Sequence, residues 1–300
     1  MPSYLNKFNI ISIGDLKNSI SFSAFEPGYS LFSAISKWIV NDFQFFLFLC
    51  AIVSVVPIML LYVHESKHDL LTIALFVSIA PYTIFFSGLR QEIAIGMGVI
   101  CYYFCKKDKI IPFMFFVVLA YSFHQSSVVL LLLYPWTHVR ITKRWILPGA
   151  VLYVIALIYN KRIFSVLLGM NDKYESRYII SETGSYAFLF LLLLLVAFAF
   201  VIPQEDDDDL FGLRNILVLC LFIQCFAPIN NVAMRLNYYF LIFIPITIPR
   251  IIDKSKLKYH QFAYASSIIF FIFFIFWFFK ECYTGSNYLH TVPYEAFWEV

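Results

Sequence analysis

Three places along the chain combine an ionisable side chain with surroundings that are otherwise apolar. Arg90, with Gln91 and Glu92 beside it, interrupts "FFSGLRQEIAIG" at residues 85–96. His124 lies in "LAYSFHQSSVVLLLLYP" next to Gln125, Ser126 and Ser127, and Arg235 opens "RLNYYFLIFIPI". An arginine at the middle of a bilayer costs roughly 2.5–3.5 kcal/mol on insertion scales, so it sits near an edge or serves a purpose. One reading is snorkelling or helix packing. The other is an anion site, because the planar guanidinium fork pairs bidentately with phosphate oxygens. The histidine divides in the same way: it is a hydrogen-bonded helix residue, or a base whose neutral imidazole takes a proton from a hydroxyl near pH 7.

Other patterns carry less. "HESKH" at 64–68 matches the zinc-protease spacing H-E-x-x-H, but it nearly fills a short polar loop and no third ligand is evident, so a chance match is the reading here. "EDDDD" at 205–209 has the acidity of a metal-nucleotide site, yet a charge run in a short loop is ordinarily solvated. Cys101 and Cys105 lie one helical turn apart without a Cys/His cluster to complete a metal set, and the six cysteines read as small core residues. No metal and no cofactor is expected.

The elements that must position Arg90, His124 and Arg235 follow from composition. Of 300 residues, 61% are hydrophobic, 20% aromatic and only 14% charged, too few charges for a soluble domain of this size. The net charge of +3 gives no case for nucleic acid. The chain reads as an all-α polytopic membrane protein. Apolar runs long enough to approach a span of about 20 residues lie at 44–63, 70–87, 91–105, 186–202, 211–229, 232–249 and 262–279, with a shorter one at 145–159. A single crossing over 110–136 would put the basic stretches "KKDK" and "HVRITKR" on opposite faces, so a pair of short or broken helices turning near His124 is expected. The resulting map has about ten spans and a single transmembrane domain over 1–300. Its outer face carries an N-terminal segment 1–43, a loop 160–185 and a tail 281–300, together with Arg90, His124 and Arg235. The N-terminus shows no cleavable signal pattern. The aromatic outer stretches "FEPGYSLF", "MNDKYESRYI", "RLNYYF" and "NYLHTVPYEAFWEV" are free either to pack or to stack on sugar rings.

In order, "FEPGYSLFSAISKWI", "SGLRQEIAIGMGVICYYF", "LAYSFHQSSVVLLL", "MRLNYYFLIFIPI" and "VPYEAFW" resemble the EpsG family of bacterial polysaccharide proteins, similar to Wzy O-antigen polymerases. The resemblance runs over nearly the whole chain. Ser87, Arg90, Gln91 and Ala94, and later Phe123, His124 and Ser126, are its most specific parts. It implies a fold resembling a membrane (GT-C-like) glycosyltransferase that joins undecaprenyl-diphosphate-linked repeat units at the periplasmic face of the inner membrane. Arg90 and Arg235 would clamp the diphosphate and His124 would serve as base. Gln91 and Glu92 would be the hydrogen-bonding and charge partners of Arg90, with Arg177, Glu26, Tyr29, Tyr238 and Tyr294 as further substrate-binding candidates. Expected partners are the lipid-linked oligosaccharide, membrane lipid and a chain-length regulator protein. Family members usually begin with one more membrane helix and a Gly-x-Asp-x-x-x-Tyr stretch, and "MPSYLNKF" is expected to start just past that aspartate. The competing classes are a flippase or transporter of lipid-linked sugar, which should show internal repeats, and a membrane O-acyltransferase of polysaccharide.

Overall fold

The structure is a computed structural model that describes residues 2–14, 25–79, 81–85, 88–169, 186–204 and 207–284. Among these residues the chain is helical, with one isolated β-bridge between Gln204 and Ser255. The all-α polytopic membrane architecture expected from composition is therefore present. Phe43–Glu65 and Leu257–Lys280 are each long and apolar enough to cross a bilayer unaided. Ile146–Ile158 with Asn160–Val166, bent by 76°, and Val232–Leu241 with Ile244–Asp253, bent by 42°, qualify as broken spans. Asp69–Ser78, Ile110–Phe123 and Tyr186–Val201 are shorter apolar helices. The expected short and broken spans thus outnumber the uninterrupted ones. The chain groups into two compact units, one made of Met1–Glu65, Ile73–Tyr134 and Ile272–Val300, the other of Ser66–Thr72 and Pro135–Phe271.

The first unit contains α1 (Pro2–Ile10), α2 (Pro27–Ile39), α3 (Phe43–Glu65), α4 (Asp69–Ser78) from Ile73 onward, α5 (Pro81–Ile84), α6 (Leu89–Cys105) and α7 (Ile110–Phe123). Helices α3 and α6 run side by side in the same direction. A Cβ on Gly96 of α6 would lie 2.6 Å from the Val53 carbonyl oxygen and 2.8 Å from the Ser54 Cα, so the missing side chain is what lets the two backbones touch. Further on, the Lys106 ammonium meets the Glu65 carboxylate at 2.5 Å. Gly96 lies seven residues into α6 and Val53 ten into α3, so at a rise of about 1.5 Å per residue the first residue of α6 is recessed by about 5 Å from the start of α3.

The turn expected near His124 is real. α7 ends there, where the backbone opens to φ −154°, ψ 118°, and a 3-10 segment, Gln125–Leu132, follows. The rings of Phe113 and Tyr134 lie 5.3 Å apart. Along one straight helix, 21 residues would separate them by about 31 Å. The two arms therefore fold back on each other as a hairpin.

Helix α2 folds back along the first turns of α3, with Phe32 and Tyr29 at 5.9 and 5.7 Å from the Phe46 ring. Phe32 also meets Phe123 of α7 at 5.9 Å. Gly28 makes that approach possible: a Cβ there would overlap the Ser122 hydroxyl and come 2.8 Å from the Ser122 carbonyl oxygen. The N-terminus of α2 is thereby carried to the hairpin turn.

The second unit contains α8 (Ile146–Ile158), α9 (Asn160–Gly169), α10 (Tyr186–Val201), α11 (Asp208–Gln224), α12 (Asn231–Leu241) and α13 (Ile244–Asp253), and α14 (Leu257–Thr284) up to Phe271. The acidic run is more than a solvated loop. Asp207 caps α11 by accepting from the Leu210 backbone N–H at 3.1 Å, and Arg250 bonds Asp207 and Asp209 at 3.1 and 3.2 Å. Burial alone would raise the Asp207 carboxyl, but the Leu210 N–H and the Arg250 charge hold it below its ordinary value. In the helix pair α11 and α12, the Asn237 amide donates to the Cys220 carbonyl and to Gln224 Oε1, both at 3.0 Å. Such an interhelical amide bond satisfies groups that lipid could not.

Candidate functional site

Three chain segments, each ending a helix, converge on one carboxylate. Glu26 is the residue before α2, held extended at φ −62°, ψ 148° with Pro27 at the first helical position. Arg90 is the second residue of α6, and His124 closes α7. Glu26 Oε2 accepts from Arg90 Nη1 at 2.5 Å, across 64 residues of sequence. Glu26 Oε1 lies 3.3 Å from His124 Nδ1 and accepts from the Gln125 backbone N–H at 3.3 Å. One carboxylate thus ties the arginine to the histidine.

Exposure separates their roles. The Arg90 and His124 side chains each keep 24% of their surface open, whereas Glu26 keeps 10%. Burial would raise the Glu26 carboxyl, but His124 and the Arg90 charge outweigh it and hold it down to about 2. Glu26 is therefore an anion across the working pH range, enclosed behind two groups that remain reachable. Its charge also keeps Arg90 in place, since a partly buried guanidinium without a counter-ion would be costly.

Aromatic rings line the same place. The Arg90 guanidinium lies 4.3 Å from the Phe25 ring centre, and the Lys7 ammonium approaches the same ring at 3.6 Å. Phe25 contacts Tyr4 at 5.4 Å and Tyr29 at 5.3 Å. Burial, then the neighbouring Arg90 charge, pushes the Lys7 ammonium down, with Glu26 opposing. Tyr4 and Lys7 were missed by sequence reasoning. The signal was weak: an i, i+3 pair on a short helix of ordinary polarity.

The sequence candidates fall into four groups. Arg90, His124 and Glu26 are brought together, with Tyr29 buried one turn into α2. Glu92 is also buried, but it lies near Tyr29 and Cys50 and is not the carboxylate that Arg90 meets. Gln91 is buried too and has partners of its own. Arg235, exposed, and Tyr238, buried, lie on α12 in the second unit. Arg177 and Tyr294 fall outside the described residues. In "HESKH", Glu65 is engaged by Lys106, and His64 Nδ1 sits 2.8 Å from the Leu60 carbonyl oxygen.

The arrangement offers a cation able to grip an anionic group, beside an imidazole whose Nδ1 lies 3.3 Å from a carboxylate oxygen. Neither depends on a long insertion or a mobile loop: each residue is fixed at a helix end. No curated protein and no solved structure matches the chain. The family model described as the EpsG family matches residues 1–296, a stretch that includes every residue of this site, and the chain belongs to the EpsG family.

Proposed function

We propose that the protein is a polysaccharide polymerase that joins undecaprenyl-diphosphate-linked repeat units at the outer face of the bacterial inner membrane. Membership of the EpsG family supports a polysaccharide polymerase-like membrane protein, and one observation carries the finer reading. Arg90 and His124 meet on the Glu26 carboxylate while each side chain keeps 24% of its surface exposed. That is the pairing a glycosyl transfer from a diphosphate needs: a cation for the leaving group and a base for the acceptor.

In the proposed reaction a sugar hydroxyl oxygen attacks the anomeric carbon of the donor. Its proton passes to His124, and the bond from that carbon to the diphosphate oxygen breaks, leaving the electron pair on the lipid diphosphate. Arg90 binds this developing charge more strongly than the ground state and so lowers the barrier. Arg235 and Arg177 are further arms of the clamp, which is built of guanidinium groups rather than a metal ion. Glu26 takes the part of a positioning residue. It holds the Nδ1 edge of His124, leaving the opposite nitrogen to act as base, in the way a carboxylate orients the imidazole of a catalytic triad. Tyr29, Tyr238 and Tyr294 are the candidate stacking surfaces for sugars.

The test uses a cell that lacks this gene but makes lipid-linked repeat units. Surface glycan should appear as single exported units, because export is intact, and wild-type protein should restore chains. His124→Ala should fail to restore them, with elongation down by roughly 10²–10⁴-fold, the usual worth of a positioned base. A null strain that exports no units points to a flippase, and full-length chains from His124→Ala remove the base.

A further inference from the structure

Helix α2 is turned inside out for a helix on a water-facing segment. Its buried side consists of Tyr29, Ser30, Ser33, Ala34 and Ser36, with the three serines at 1% exposure or less. Its open side carries Leu31, Ile35, Trp38 and Ile39, between 39% and 73% exposed. The one charged residue of the helix, Lys37, is directed instead at α1, donating to the carbonyl oxygens of Phe8 and Asn9 at 3.1 and 2.7 Å. A surface helix in water shows the reverse pattern, apolar residues inward and charges outward. Small residues inward and large apolar ones outward is how a helix packs when its surroundings are hydrocarbon.

Depth agrees with pattern. Tyr29 and Phe32 of α2 both pack on Phe46, three residues into a helix that is itself a membrane span by length and composition. Two residues further on, α3 also turns a large apolar side chain outward, Phe48 at 60% exposure. The apolar face of α2 continues the lipid-facing surface of α3.

We infer that α2 is a re-entrant helix whose Leu31–Ile35–Trp38–Ile39 face lies in the acyl-chain region of the outer leaflet, with bilayer lipid as its partner. Its N-terminus then enters the membrane layer and delivers Glu26 to Arg90 and His124 from below the surface. This inference stands whether or not the polymerase reading does, since it concerns what covers the helix.

The test is spin labelling of a cysteine-free full-length protein in phosphatidylcholine vesicles. Single cysteines replace Leu31 and Ile35, both exposed and so tolerant of change, with Phe48→Cys as the lipid-facing reference. Nitroxides at 31 and 35 should collide more often with oxygen, which concentrates in hydrocarbon, than with a water-soluble nickel chelate, and should match the reference. Brominated lipid should also quench the fluorescence lost on Trp38→Phe. Nickel collisions exceeding oxygen collisions at 31 and 35 would place α2 in water and overturn the inference. Low collision with both agents would mean that protein, such as a second copy of the chain, covers the face, and overturns it equally.

Discussion

At the scale of single residues, the proposed chemistry depends on one carboxylate serving two partners. Arg90→Lys retains the charge but loses the planar fork that can serve Glu26 and a phosphate at once. We expect elongation to fall by about 10²-fold, nearly as far as in Arg90→Ala, comparable to removing one preorganised donor. Normal polymer from the lysine variant at normal protein level would reduce Arg90 to a packing residue. Glu26→Gln leaves the Arg90 charge uncompensated and should lower stability by about 2 kcal/mol, the scale of a hydrogen bond to a charged group. Because the Glu26 carboxyl is held down at about 2, below its unfolded value near 4.3, its contribution is present above the unfolded value and lost as pH falls toward 2. The difference in thermal midpoint between wild type and Glu26→Gln should therefore shrink as pH falls from about 4 toward 2. A difference that persists unchanged through that range would assign the effect to another group. Arg90 and His124 were legible in the sequence because a charge or an imidazole inside an apolar run is expensive and so conspicuous. Their bridge was not. The acid nearest Arg90 in sequence, Glu92, is two positions away on a helix, where neighbours do not share a face, whereas Glu26 arrives from 64 residues off.

At the scale of elements, the site exists because three helices stop in the same place. The hairpin at His124 could be foreseen from charge bookkeeping on its two flanking loops, and the weak helix formers of "SFHQSS" supply the local reason for the break. Cysteines replacing Phe113 and Tyr134 should be joined by a short bis-thiol reagent in an otherwise cysteine-free protein. A straight crossing would keep them about 31 Å apart, beyond its reach. The docking of α2 was less visible, since it rests on a glycine contact rather than on any periodic signal. Gly28→Val should push α2 away from Ser122 and uncouple Glu26 from His124, costing elongation while the spans remain inserted. Elongation unchanged in that variant, at equal protein level, would separate the α2 contact from function. The acidic run shows the opposite limit of reading by composition: a charge cluster looks solvated until its distant partner, Arg250, is placed against it.

At the scale of the whole molecule, the site candidates are shared between two compact units, with Arg90, Glu26 and His124 in one and Arg235 and Tyr238 in the other. The fold class was legible because hydropathy is a property of the whole chain, whereas the number of uninterrupted spans was not, since a bend such as the 76° one at Tyr159 leaves composition unchanged. The short helices around the site have a mechanical consequence. At 17 and 14 residues, α6 and α7 are about 25 and 21 Å long, less than a hydrocarbon core of about 30 Å. α6 is enclosed by protein on nearly every side, but α7 turns Ile111, Phe115 and Val118 outward, and a bilayer meeting that face is expected to thin locally, at a fraction of a kcal/mol per ångström of mismatch. Chain length of the host lipid then becomes a control variable: the purified protein should be more thermally stable in dimyristoyl than in dierucoyl phosphatidylcholine, and the membrane itself should set how readily the helix ends that carry Arg90 and His124 stay together.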